Sequence, residues 1–294
     1  MKYLLLPVLA AALVSAASPI KPTLADALDA VSAHPNGASP ASIGLFHLSR
    51  APEQGVLALG TLPPNVKRLV IDGRDVRFAA DGRFAVGFGR DYASSTLITA
   101  FLTDGRNISE RLPVKPHKWD ISILASLPHH AQPDAEFQAR RPAEIAQINA
   151  ARHISSESQG WRQRFIWPAH GRVSDVFGSQ RIYGSEPGAP HAGVDVAVPA
   201  GTPILAPADG VVILAADHPF TLEGNLLMVD HGLGVNSAFL HLSKIVVKAG
   251  DHLHQGQLMG YSGMTGRATG PHLHWGMKWN DERIDPVSFT GPMR

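Results

Sequence analysis

The sequence predicts a mostly β protein: a small N-terminal β-sandwich-like domain, a connecting helix and a second, C-terminal β domain. Three observations carry this. Turn formers are abundant, with 28 Gly and 23 Pro in 294 residues, which favours short strands over long helices. Short branched and aromatic runs alternate with Asp-Gly pairs at 72–73, 81–82 and 104–105, each a strong hairpin signal. One glycine-free stretch, 133–159, breaks that texture with Phe137, Ile145, Ile148 and Ile154 at roughly helical spacing.

Taken in order, the chain opens with Lys2, an apolar run from Leu4 to Val14 and the small residues Ser15, Ala16 and Ala17. A charged start, an apolar stretch and a small-residue exit describe a secretory signal peptide over 1–17. The run falls short of the about 20 apolar residues that span a membrane, and no later run is long enough to act as a transmembrane segment. Residues 18–40, rich in Ala, Pro and Ser, read as a linker. Over 41–130 the runs Val66–Ile71, Arg83–Phe88 and Leu97–Leu102 suit strands by branching and alternation, and a small sandwich is expected. This domain holds no cluster of His and carboxylate, so no chemistry is assigned to it. Binding at the site of action, docking of an envelope protein partner, or a lid over the second domain are the roles open to it. A helix is expected across 131–160. From 161 to 294 glycines recur between apolar runs such as Val211–Leu214 and Leu226–Val229, which reads as a second all-β domain.

Composition narrows the function classes. Hydrophobic residues make up 44% and charged residues 17%, which is globular rather than disordered. A net charge of +1 with no long basic run argues against nucleic acid as a partner. There is no cysteine. That removes disulfides, a lipid-modified N-terminal Cys and every thiolate zinc site, so a metal here must rest on His and carboxylate. Export without disulfides suits a bacterial envelope protein whose core needs no staples.

The histidines of the second domain fall in three informative stretches: His191-Ala192-Gly193-Val194-Asp195, Phe239-Leu240-His241-Leu242-Ser243, and Gly270-Pro271-His272-Leu273-His274. On a strand, residues two apart share a face, so His272 and His274 face one spot while Leu273 faces the core. His191 and Asp195 would stand about 13 Å apart on a straight strand, too far to share a metal. The chain must therefore bend near Gly193, which permits it, placing His191 before the strand and Asp195 on it. Catalytic zinc takes three protein ligands and leaves one position open. His191, Asp195 and one of the pair His272/His274 supply N, O and N. His241 and the other member of the pair are then the groups that handle protons; the chain has no His-Glu-x-x-His to supply a helical base. Histidine alone is unspecific: His252-Leu253-His254 repeats the spelling in a polar, turn-rich context and reads as an exposed strand end.

These residues resemble the lysostaphin-type (LytM-like) zinc endopeptidases of bacterial cell walls. The likeness spans roughly 165–286 and includes Phe165-x-Trp167-Pro168, His191-x-Gly193-Val194-Asp195, Gly201-Thr202-Pro203, Ala208-Asp209-Gly210, Asp230-His231-Gly232, His241-Leu242-Ser243, Thr265 through His274 and Asp285-Pro286. It implies zinc, one ion per chain, on His191, Asp195 and His274, with His241 and His272 as the catalytic histidines. It further implies an antiparallel β fold with the zinc in a groove, hydrolysis of peptidoglycan stem peptides or cross-links, and a periplasmic or envelope location. Two departures stand out. Relatives often carry Tyr two residues before the catalytic His, where this chain has Phe239, which reads as a packing position. For a Tyr upstream of the first ligand that steadies the oxyanion in relatives, Tyr183 is the nearest candidate here, at an offset from His191 that is not a clean match. Two other readings compete. A non-enzymatic relative that activates an amidase would have lost metal ligands, and none is lost here. A biotinyl- or lipoyl-type carrier needs a lysine at a hairpin tip, and Lys278, between Met277 and Trp279, lacks that turn.

Overall fold

The computed structural model describes residues 45–124 and 135–293. The signal peptide and linker expected over 1–40 lie outside the described residues. Two antiparallel sheets form the first β region. One joins strands His47–Leu48, Leu57–Thr61 and Arg83–Gly87; the other orders Arg74–Val76, Val66–Ile71, Ser95–Leu102 and Asn107–Pro113. The Asp-Gly pairs make the turns. Asp72 and Gly73, at φ 47° and 80°, link two paired strands, and Gly105 at φ 91° links two more, the left-handed geometry that tight hairpins require. Strand Ser95–Leu102 alternates half-buried and buried residues along its whole length, as a sheet with one face on the core must.

The helix runs from Ala135 to Arg152, and beyond it the Ser156 amide and hydroxyl donate to the Asp230 carboxylate at 2.8 and 2.6 Å. It is largely polar. Ile148 and Ala151 pack on Ile213, Phe220, Leu226 and Met228.

The second β region is dominated by an eight-stranded antiparallel sheet. Its path runs His252–Leu253, Gly210–Ala215, Asn225–Gly232, Val235–Leu242, Leu273–Trp279, Val194–Ala197 and Arg172–Asp175, with Glu282–Ile284 pairing the Leu273–Trp279 strand off that path. Strand Ile121–Leu124 pairs in parallel with Gln180–Tyr183 in the second β region. One apolar core extends from Phe46 through Trp275 to Ile284. The two β regions touch directly: Asp285 N–H donates to the Gly55 carbonyl at 2.7 Å, and Gly87 lies against Trp279, Ile284 and Leu57, where a Cβ would stand 2.9 Å from Trp279 Cβ. Among the described residues no helix is long and apolar enough to cross a membrane.

Candidate metal centre

Strand register builds the site. Asp195, on Val194–Ala197, stands opposite His274 on Leu273–Trp279, and His274 stands opposite Leu240 on the next strand. Asp195, His274 and, one residue further on, His241 therefore lie at one level across three neighbouring strands. His272 sits just before its strand and bridges Gly263. His191 precedes the Asp195 strand, and its main chain is tied to Gly178 and Ser179; the chain turns between His191 and Asp195 where the spacing demands it. All five residues singled out from sequence meet in one place.

Gly193 makes the convergence sterically feasible. A Cβ there would stand 2.4 Å from the Trp275 carbonyl oxygen and 2.8 Å from His274 Nε2, both inside contact distance. Behind the ring, Phe239 and Trp275 are fully buried and lie parallel, with centroids 6.5 Å apart. Phe239 is thus a packing residue of the layer beneath the site.

His191, Asp195 and His274 each offer one donor atom, and the three atoms lie within 4.8 Å of one another. His274 Nδ1 is 2.8 Å from Asp195 Oδ1 and 3.0 Å from His191 Nε2, and His191 Nε2 is 3.2 Å from the same carboxylate oxygen. A carbonyl can only accept. The 3.0 Å contact from His191 Nδ1 to the Val176 carbonyl therefore places the proton on Nδ1 and leaves Nε2 as a lone-pair donor. Two nitrogens and one carboxylate oxygen, partly buried and converging on one point, fit a tetrahedral metal with an open fourth position.

The electrostatics favour the ligating forms of Asp195 and His274, while for His191 Asp195 acts in the cation's place and favours the protonated ring. Burial disfavours a charged His191, yet the hydrogen bond and negative charge of Asp195 outweigh it and hold the imidazole above its ordinary value. Asp195 is pressed upward by burial, but its bonds to His191 and His274 prevail and keep it well below the usual carboxylate range. Burial lowers His274 despite Asp195, which favours the neutral, ligating form.

The other two histidines are oriented the same way. His241 Nδ1 donates to the Thr265 carbonyl at 2.8 Å and His272 Nδ1 to the Gly270 carbonyl at 2.8 Å, so each keeps Nε2 free. Their rings are 4.8 Å apart, and His272 Nε2 lies 3.9 Å from Asp195 Oδ1. Burial pushes His241 down to about 4, with His272 and His274 adding to the fall and the Thr265 bond opposing it. His241 is therefore neutral near neutral pH and able to accept a proton.

Sequence reasoning passed over several groups at the site. The carbonyls of Val176, Thr265 and Gly270 orient three rings, and a carbonyl carries no residue-type code. Asp175, 3.9 Å from His191 Nδ1 and bonded to Ser179, had only its place on a short strand to mark it. Tyr183 ends strand Gln180–Tyr183, opposite Glu186. His252 and His254 are exposed, remote from the cluster in register, at the sheet edge.

Comparison with known proteins bears on this arrangement. Residues 189–286 match peptidase family M23. A crystal structure from Pseudomonas aeruginosa assigned to peptidase M23 superposes with a TM-score of 0.64 at 33% identity, covering 82% of this chain and 96% of that one. The peptidoglycan DD-endopeptidase ShyA of Vibrio cholerae serotype O1 is 39% identical over 132 residues, 45% of this chain and 30% of that protein. The DD-carboxypeptidase/endopeptidase Mpg of Neisseria meningitidis serogroup B is 39% identical over 102 residues, 35% of this chain and 23% of that protein. The chain thus spans less than a third of the length of the curated relatives it matches.

Proposed function

This chain belongs to peptidase family M23, and on that premise we propose that it is a zinc-dependent endopeptidase that hydrolyses peptide bonds in peptidoglycan stem peptides or cross-links. The observation that carries the reading is the convergence of His191 Nε2, Asp195 Oδ1 and His274 Nδ1 on one point, beside two histidines whose Nε2 atoms remain free. The likeness to relatives named as peptidoglycan DD-endopeptidases supports peptidoglycan as the substrate and the bacterial envelope, reached by secretion, as the place of action.

His191, Asp195 and His274 would hold the zinc. When bound, the ion supplies a Lewis acid that polarises the scissile carbonyl and makes water nucleophilic near neutral pH. The chain's own groups do the rest. His241, neutral because it is buried, accepts a proton from the attacking water through Nε2 and returns it to the leaving amine. His272, with Nδ1 tied to Gly270, turns Nε2 toward the same space and, once that nitrogen also carries a proton, donates to the carbonyl oxygen as negative charge grows on it. Residues 161–294 carry this chemistry in our reading, and residues 41–130 are accessory.

The test is metal-dependent release of peptides from purified peptidoglycan. The full mature chain should release soluble fragments, a chelator should abolish release, and added zinc should restore it. Release that persists undiminished in chelator would overturn the reading.

A further inference from the structure

His241 occupies an unfavourable backbone conformation. Its φ is 63°, the left-handed region that residues with a Cβ visit at a cost and hold only where their surroundings over-determine them. Two contacts fix it. Its amide N–H donates to the Glu223 carbonyl at 2.8 Å, and its ring Nδ1 donates to the Thr265 carbonyl at 2.8 Å.

Both anchors meet at the dipeptide Glu223-Gly224. Gly224, at φ 67°, lies so close to Thr265 that a Cβ would stand 2.3 Å from Thr265 Oγ1 and 2.4 Å from its carbonyl oxygen. Thr265 Oγ1 in turn accepts from the Asn225 amide and donates to the Leu242 carbonyl, each at 2.9 Å. Moving Glu223-Gly224 therefore moves the groups that grip both the backbone and the ring of His241.

That dipeptide is held from outside the sheet. Arg141, on helix Ala135–Arg152, forks onto Glu223, with Nη1 2.6 Å from Oε2 and Nη2 2.8 Å from Oε1. Arg141 also reaches Glu144 at 3.3 Å. Glu144 is 2% exposed and accepts from the Thr221 amide at 2.8 Å and the Thr221 hydroxyl at 2.5 Å. Arg140 donates to the Pro219 carbonyl at 2.8 Å. The helix thus grasps the segment 219–223 at three points through charged groups, one of them fully buried. Buried ion pairs add little net stability over apolar packing, but they fix geometry, and a bidentate fork fixes it in two dimensions.

We propose that Arg141 is a positioning residue of the active site, setting the His241 ring through Glu223 and Gly224, so that helix Ala135–Arg152 is a working part of the catalytic apparatus and not only a connector. The inference rests on the reading of His241 as the proton-handling group.

The test is a double-mutant cycle on the zinc-loaded full chain with a soluble cross-linked muropeptide. Arg141→Gln should lower kcat about 10- to 100-fold, the loss typical of groups that orient a site, with KM within about twofold and zinc content unchanged. Arg141→Lys, which keeps the charge but loses the fork, should fall between Arg141→Gln and the unaltered chain; it also serves if Arg141→Gln does not fold. In a 15N-histidine spectrum the slowly exchanging Nδ1 proton of His241 should be lost or broadened in the variant. Placed in a His241→Ala background, the Arg141 change should cost no further turnover, because its effect passes through that ring. An unchanged kcat and Nδ1 proton, or an equal fractional loss in the His241→Ala background, would overturn the inference while leaving the proposed function standing. Full activity of His241→Ala alone would instead remove the reading on which it rests.

Discussion

His191 Nε2 and His274 Nδ1 stand 3.0 Å apart, and the nearer carboxylate oxygen of Asp195 lies 2.8 Å from the second of them. With the His191 proton drawn to Nδ1 by the Val176 carbonyl, the two facing nitrogens repel unless a proton or a cation lies between them. His274→Ala should therefore lose bound zinc. His272→Ala, which removes no donor from that triangle, should keep one zinc per chain and lose turnover. Metal analysis of both purified variants beside their rates checks the division of roles; full activity in both would contradict it.

Gly193 offers a test that leaves every ligand in place. The Cβ of Gly193→Ala would press on the Trp275 carbonyl and on His274 Nε2, so relief must move both the backbone at Trp275 and the His274 ring. Zinc affinity should fall about 10-fold or more, as for other disturbances of ligand orientation, while circular dichroism remains that of the unaltered chain. Titration with a competing chelator measures it.

A stability prediction follows from His231, which lies wholly inside the protein. Nδ1 is 2.8 Å from the Asp209 carbonyl, Nε2 is 2.9 Å from Ser237 Oγ, and the ring meets Phe165 edge-on. Burial pushes its value down to about 4. In the unfolded chain the same group binds a proton near pH 6.5, so between those values the unfolded state holds more protons and stability rises with pH. The contribution is fully present above about pH 6.5 and is lost as pH falls toward 4, by about 3 kcal/mol at most. Melting temperatures of the apo-protein should drop over that window, and His231→Gln should flatten the drop even if it lowers the whole curve. An unchanged slope in the variant would rule the histidine out as its source.

Much of this was legible beforehand, for physical reasons that differ from residue to residue. Strand Val66–Ile71 falls at the expected bounds because branching, alternation and a flanking Asp-Gly all point the same way. Bunching of His191 with Asp195 and of His272 with His274 was readable because metal chemistry constrains side-chain types and spacing. The pairing of Ile121–Leu124 with Gln180–Tyr183 was not readable, since two short strands distant in sequence carry no mutual code. Nor were the Val176, Thr265 and Gly270 carbonyls, which any residue supplies, nor the reach of Arg141 to Glu223 across 82 positions.

The shared core leads to a prediction about truncation. Leu57 and Gly87 cover Trp279 and Ile284, and the Gly55 carbonyl accepts from Asp285. A chain beginning at Trp161 exposes that apolar surface. It should melt well below the full mature chain and tend to associate. A scan of both by calorimetry decides; equal melting temperatures would show that the second β region stands alone.

The most direct test of the central claim is mass spectrometry of the fragments that the zinc-loaded mature chain releases from purified, cross-linked peptidoglycan. The account predicts that cross-linked muropeptide dimers give way to products whose masses report addition of one water across a peptide bond, with glycan linkages intact. Unaltered dimers, or fragments cut only between sugars, would contradict it.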